Sequence, residues 1–182
     1  MSLMNVGRLC CAVLASLVVS STASAQTTVS TGTGGGGSPH VKSTWKVGTA
    51  TISIEYGRPY LKGRAESKMM PIGQPWRTGA DQATVITTDR MLMFGQVMLQ
   101  PGSYTINTQP GEKEWELIIG KLEKPGQWGI PYRKDLEIGR APMTLTKAAK
   151  PVEQVTISID SAKPTLSVAW GTVLASIPFM VH

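Results

Sequence analysis

Along most of the chain, apolar and polar residues alternate with a period of two. Val41, Ser43, Trp45 and Val47 fall on one face of a run whose other face carries Lys42, Thr44 and Lys46. Beyond Gly48, the residues Ala50, Ile52, Ile54 and Tyr56 alternate with Thr51, Ser53 and Glu55. A helix would bring apolar residues back every three to four positions, so strict alternation marks half-buried strands. Two such runs joined by a short Gly-containing link predict a hairpin. Further β-branched or alternating runs follow at 83–88, 91–94, 97–99, 103–108, 114–119, 143–146, 152–159, 165–170 and 172–181. Pro101-Gly102, Pro110-Gly111 and Pro125-Gly126 punctuate them as turns, Pro presetting φ and Gly accepting a positive φ.

The pattern predicts no amphipathic helix of three turns and no internal repeat. Many short strands separated by turn signals predict an all-β fold, an antiparallel β-sandwich of jelly-roll type over 39–182. The twelve prolines suit turns and edges better than helix interiors.

Two segments precede this domain. Arg8 with the amino terminus, the apolar run Leu9 to Val19 and the small-residue motif Ala23-Ser24-Ala25 read as a signal peptide over 1–25, with Gln26 as the new first residue. The apolar run falls short of the roughly 20 residues that span a bilayer. No membrane span is expected after its removal, and the expected location is the periplasm or the exterior of a bacterial envelope. Residues 26–38, rich in Thr, Ser and Gly and ending in Gly34-Gly35-Gly36-Gly37-Ser38, read as a flexible tether.

Composition narrows the chemistry. The chain has 16% charged and 41% hydrophobic residues, a globular balance. Its two cysteines, Cys10 and Cys11, lie in the signal segment, so 26–182 contains no thiol for a disulfide, a nucleophile or a thiolate metal site. The two histidines, His40 and His182, follow the glycine tract and end the chain, and no G-x-S-x-G elbow or H-E-x-x-H motif occurs. No cofactor or metal is expected. The weak catalytic candidates are carboxylates: Asp81, and a row Glu112, Glu114, Glu116 at every second position of a strand. Residues two apart on a strand stand roughly 7 Å apart, within the range of glycosidase acid pairs; a solvated strand face explains the row as well. Trp128, in Gly126-Gln127-Trp128-Gly129, reads as a loop anchor or a sugar-stacking platform.

One segment departs from the strand pattern. Residues 58–77 hold Arg58, Lys62, Arg64, Lys68 and Arg77 against Glu66 alone, with three prolines and two glycines. That loop carries +4 of a total of +6 for the whole chain. Arginine forks suit carboxylate, phosphate or sulfate oxygens. The expected ligand-binding residues are Arg58, Lys62, Arg64, Trp76, Arg77 and Asp81, and the expected partner is an anionic glycan or peptide. Nucleic acid is not expected, because no basic stripe is interleaved with aromatics. A carboxylate-dependent hydrolase acting on envelope glycans or esters, and a purely structural envelope protein whose arginines pin the loop, are the rival readings.

The runs Tyr56-Gly57-Arg58-Pro59, Lys62-Gly63-Arg64 and Trp76 to Thr84, with Pro101-Gly102-Ser103-Tyr104, Gly126-Gln127-Trp128-Gly129, Gly139-Arg140 and Pro151-Val152-Glu153-Gln154, together resemble a family of exported bacterial proteins, the domain of unknown function 2911. The resemblance extends from about Pro39 to the C-terminus. It implies an exported β-rich domain and brings no activity, substrate or cofactor with it. The family commonly has Asn-Glu where this chain has Asp81-Gln82.

Overall fold

The computed structural model describes residues 26–182; the expected signal peptide lies outside the described residues. Eleven strands are described: β1 (Thr27–Thr33), β2 (Pro39–Val47), β3 (Ala50–Gly57), β4 (Thr84–Thr88), β5 (Leu92–Phe94), β6 (Val97–Leu99), β7 (Gly102–Gln109), β8 (Glu114–Lys121), β9 (Glu137–Asp160), β10 (Thr165–Pro178) and β11 (Met180–Val181). The helical content is one four-residue turn, α1 (Glu66–Met69), and a 3-10 turn at Lys134–Leu136. Among the described residues, no helix is long and apolar enough to cross a membrane.

The all-β expectation holds. Eight strands form an antiparallel sheet in the order β1-β2-β3-β4-β7-β8-β9-β10, and β11-β5-β6 form a small second sheet. The core lies between them: Ile52, Ile54, Leu92, Phe94, Leu117 and Leu166 are fully buried in one cluster. The connectivity corrects the jelly-roll detail. Neighbours in the large sheet are neighbours in sequence except where β5 and β6 leave for the second sheet. Short turns favour such a meander, because each strand pairs at once with the one just made.

The predicted hairpin is present. Val47 pairs with Ala50 across the two-residue link Gly48-Thr49, and Gly48 takes a φ of +57° that an L side chain rarely adopts. The predicted runs 143–146 and 152–159 merge into the 24-residue β9, and most of 165–181 merges into β10. These two strands pair from Thr165↔Asp160 to Ser176↔Thr144, with irregularities on both sides of Gly171. Bulges raise local twist and bend a strand, so this long hairpin turns a corner. Alternation also fails within β8, where Leu117, Ile118 and Ile119 are all buried. The loop carrying Trp128, Pro131 and Leu136 comes over the Ile118 side of the sheet and covers what would otherwise be a solvated face.

The tether expected at 26–38 is corrected in part. Thr27–Thr33 form β1, paired antiparallel with β2 from Thr27↔Thr44 to Thr33↔Pro39. All seven residues are exposed. Low hydrophobicity forbids a buried strand but not an edge strand, which needs only a backbone ladder and β-tolerant Thr, Ser and Val. Thr28 Oγ1 and Ser43 Oγ add a hydrogen bond of 2.9 Å between the strands. The glycine tract becomes a tight loop, with Gly37 N donating to Gly34 O at 2.9 Å and Gly34 N to Ser38 O at 2.9 Å.

Leu117→Ala, at a site with no exposure, is expected to cost about 2 to 5 kcal/mol in urea unfolding followed by tryptophan fluorescence. Val29→Ala in β1 is expected to cost less than about 0.5 kcal/mol. Equal costs would show that β1 is integral to the core.

Candidate functional site

The basic loop 58–77 is shaped by a seam. After β3, the chain runs beside the distal half of β9, with Leu61 N donating to Glu153 O (2.8 Å) and Val155 N to Pro59 O (3.1 Å). Tyr60 and Gln154 form an antiparallel bridge. The Tyr56 hydroxyl accepts from Ile157 N at 3.0 Å, and burial pushes this phenol up from its ordinary range. The loop then crosses to other elements. The Glu66 carboxylate accepts from Thr172 N (2.7 Å) and Thr172 Oγ1 (3.2 Å) beside the bulge at Gly171. Met70 is buried, Gly73 N donates to Pro110 O at 2.8 Å, and Trp76 bridges to Thr108 of β7. The expected long loop is thus a fixed strap with successive anchors.

Under the strap lies a cleft of about 450 Å³. Lys62, Arg64 and Arg77 supply its cations, and Trp76 and Trp170 supply an aromatic wall. The two indoles stack at 5.5 Å with 13° between planes, and Trp76 meets Trp115 edge-on at 6.3 Å. Such stacking holds large rings in one orientation. Arg77 Nε donates to Gly79 O at 3.3 Å, while its two terminal nitrogens and Lys62 Nζ make no hydrogen bond or ion pair with described residues. Burial pulls Arg77 below its ordinary range, and the negative charge of Asp81 pulls the other way. Arg64 is more committed: it donates to Leu61 O at 2.9 Å and to Tyr60 O.

Asp81 lines the same cleft, but its partner is His40, not an arginine. Nε2 of His40 donates to Oδ2 of Asp81 at 2.9 Å, both side chains being about one-eighth exposed. Glycines crowd this pair. A Cβ on Gly34 would stand 1.7 Å from Asp81 Oδ2, and one on Gly57 would stand 2.5 Å from Ala80 O and 2.9 Å from His40 Nε2. A Cβ on Gly129 would stand 2.5 Å from Arg77 Cδ. The glycine tract is therefore one wall of the cleft, with Gly36, Gly37 and Ser38 in its lining. Lys62, Thr78 and Asp81 all hold positive φ, at +51°, +55° and +62°. Each costs about 1 to 2 kcal/mol for a residue with a side chain. Two of the three line the cleft, and such strain concentrates at functional sites.

Other expected site residues are placed elsewhere. Arg58 points into the seam: its Nε donates to Val155 O and its Nη2 to Thr156 Oγ1, both at 2.9 Å, and it is not in the cleft lining. It pins the loop, as the structural reading required. Trp76 faces the cleft as expected. The carboxylate row forms only in part, with Glu114 and Glu116 two apart on β8. Glu112 precedes β8 and is exposed, Glu114 is exposed, and Glu116 accepts from Arg140 Nη1 at 2.9 Å. Neither Glu114 nor Glu116 lines the cleft. Trp128 is 55% exposed, so it does not anchor its loop by its ring. The backbone does that instead: Ala83 N donates to Gln127 O at 2.9 Å and Gly129 N to Asp81 O at 3.0 Å. Gln82, where the resembled family commonly has Glu, leaves Oε1 buried without a partner.

Sequence reasoning missed His40 as a site residue, because nothing local ties a histidine at the start of the domain to a partner 41 positions on. The partial signal was that His40 opens the same alternating run that defines β2. It also missed Arg140, the hub of a second polar cluster. Arg140 donates to Glu137 Oε1 (2.8 Å) and Oε2 (3.0 Å), Glu116 Oε2 (2.9 Å), Gln109 Oε1 (3.0 Å) and the Tyr132 hydroxyl (3.3 Å). The Tyr132 hydroxyl in turn donates to Glu137 Oε2. Hydrogen bonds from Arg140 hold the Glu137 carboxyl down to about 2, and burial with the Glu137 contact pushes Tyr132 up to about 12. This cluster ties the loop before β9 to strands β7 and β8. It is an architectural clamp away from the cleft.

Because Glu137 titrates lower when folded than the ordinary 4.5, it stabilises the fold fully above about 4.5, and that contribution disappears as pH falls toward 2. Melting temperature measured from pH 7 to pH 2 is expected to fall less steeply through this window in Glu137→Gln than in the parent, from a lower starting value at pH 7. Parallel curves would exclude Glu137 as the titrating group.

Searches of curated proteins and of solved structures return no match. A family model does match, over residues 38–179, which takes in the seam, the strap, the Arg140 cluster and the cleft apart from Gly36 and Gly37. The segment before it contains β1, so the family's shared unit begins at the last residue of the glycine wall. That match covers most of the chain, and the protein belongs to the family described as "Protein of unknown function (DUF2911)".

Proposed function

We propose that this protein is a non-enzymatic binding module, exported to the bacterial envelope, whose cleft holds an anionic group carried by a glycan or peptide. The observation that carries this is the set of uncommitted donors: Lys62 Nζ and the terminal nitrogens of Arg77 converge on a cleft whose side-chain carboxylate, Asp81, is already bonded to His40. A partly desolvated guanidinium gains more from an anion than a solvated one, because competition from water is reduced. The strap anchors and the positive-φ residues hold these groups in place before any ligand arrives, which lowers the ordering cost of binding. Export rests on the signal-type segment at 1–25.

Binding of polygalacturonate and of poly-glutamate is expected to weaken about tenfold in Arg77→Gln and to decline as salt rises, since a hydrogen bond to a charged group is worth about 1.5 to 3 kcal/mol. Unchanged affinity in a variant with the parent melting temperature would remove Arg77 from the site.

The His40–Asp81 pair favours a second reading. A histidine oriented by a carboxylate is a general-base arrangement, and an ester hydrolase would use it to activate water. Turnover of p-nitrophenyl acetate that is lost in Asp81→Asn would support an enzyme; no turnover by the parent protein would leave the binding reading alone.

A further inference from the structure

The cleft is unbalanced in its hydrogen-bonding chemistry. Its free charged groups are donors, on Lys62 and Arg77, and the lining also holds the hydroxyl residues Ser38 and Tyr60, which donate and accept. Its side-chain acceptors are few. Asp81 is bonded to His40 and crowded by Gly34, and no glutamate, asparagine or glutamine is in the lining. A sugar ring presents hydroxyls that each donate as well as accept, and burying them calls for acceptors on the protein. The cations of this lining, Lys62, Arg64 and Arg77, outnumber its one carboxylate, Asp81.

The rest of the lining is apolar. Trp76, stacked on the buried Trp170, gives the cleft an indole surface, and Met69, Pro59 and Pro75 extend it. Ile130 stands at the cleft with 55% of its surface exposed. A water-facing apolar residue beside a concave apolar wall marks a surface made to be covered. The volume, about 450 Å³, suits a molecule of a few rings.

Resting on the anion-binding reading of this cleft, we infer that its ligand is an amphiphilic organic anion, a carboxylate head on a flat apolar body, with the head at Lys62 and Arg77 and the body against Trp76 and Ile130. A carboxylate head matches the free donors of Lys62 and Arg77, and the body removes exposed apolar surface from water. An acidic sugar satisfies the first condition but has no flat apolar body to satisfy the second.

The test is calorimetric titration of the purified protein with four probes: 2-naphthoate, acetate, glucuronate and the uncharged 2-naphthamide. The expected result is that 2-naphthoate binds at least about tenfold tighter than each of the other three. Ile130→Ser, on an exposed side chain, is expected to weaken 2-naphthoate and leave acetate unchanged; Arg77→Gln is expected to weaken both. Glucuronate binding as tightly as 2-naphthoate, or acetate doing so, overturns the amphiphile inference and leaves the anion site standing. Equal binding of 2-naphthamide and 2-naphthoate, with no effect of Arg77→Gln, overturns the anion reading itself. Failure of all four probes to bind overturns both.

Discussion

The structure depends on the seam between the segment after β3 and the distal half of β9. A curled sheet must satisfy backbone groups where it turns back on itself, or bury them unpaired. Here residues 56–62 and 153–157 supply the answer. Main-chain bonds run between Leu61 and Glu153 and between Pro59 and Val155. Tyr56 and Arg58 reach across from one side, and Gln154 Nε2 returns a hydrogen bond to Arg58 O at 3.0 Å. Trp170 Nε1 also donates to Glu153 O, at 3.2 Å, so the aromatic wall of the cleft is fastened to the same seam. Fold closure and cleft geometry share these contacts.

The loop's cations accordingly divide into two kinds. Arg58 holds protein to protein, as does most of Arg64, while Lys62 and Arg77 keep their terminal donors free. Composition alone places all of them in one basic segment. Only the direction of each side chain separates a clamp from a site. The loop therefore holds clamping arginines and uncommitted cations side by side.

Strands were legible because burial on one face imposes a period of two, and this holds in β2 and β3 residue by residue. Legibility ended where tertiary cover overrode the period. Ile118 is buried by a loop that no local pattern announces. The edge strand β1 escaped because pairing needs no apolar side chain. Asp81 was legible as a candidate site residue, but its partner was not. His40 is 41 positions away in sequence, and it arrives beside Asp81 only because β2 pairs with β3 and β3 leads into the strap. Likewise the glycines at 34, 57 and 129 read as linker and turn residues, although their shared property is to leave room around one carboxylate and one guanidinium.

The edge strand β1 has a kinetic meaning. Its side chains bury nothing, so its place on β2 is held by main-chain hydrogen bonds and one hydroxyl pair. Segments of that kind open locally without waiting for the core to melt. Local opening of β1 would therefore begin next to the glycine loop that lines the cleft, so a strand that buries nothing borders the wall of the candidate site.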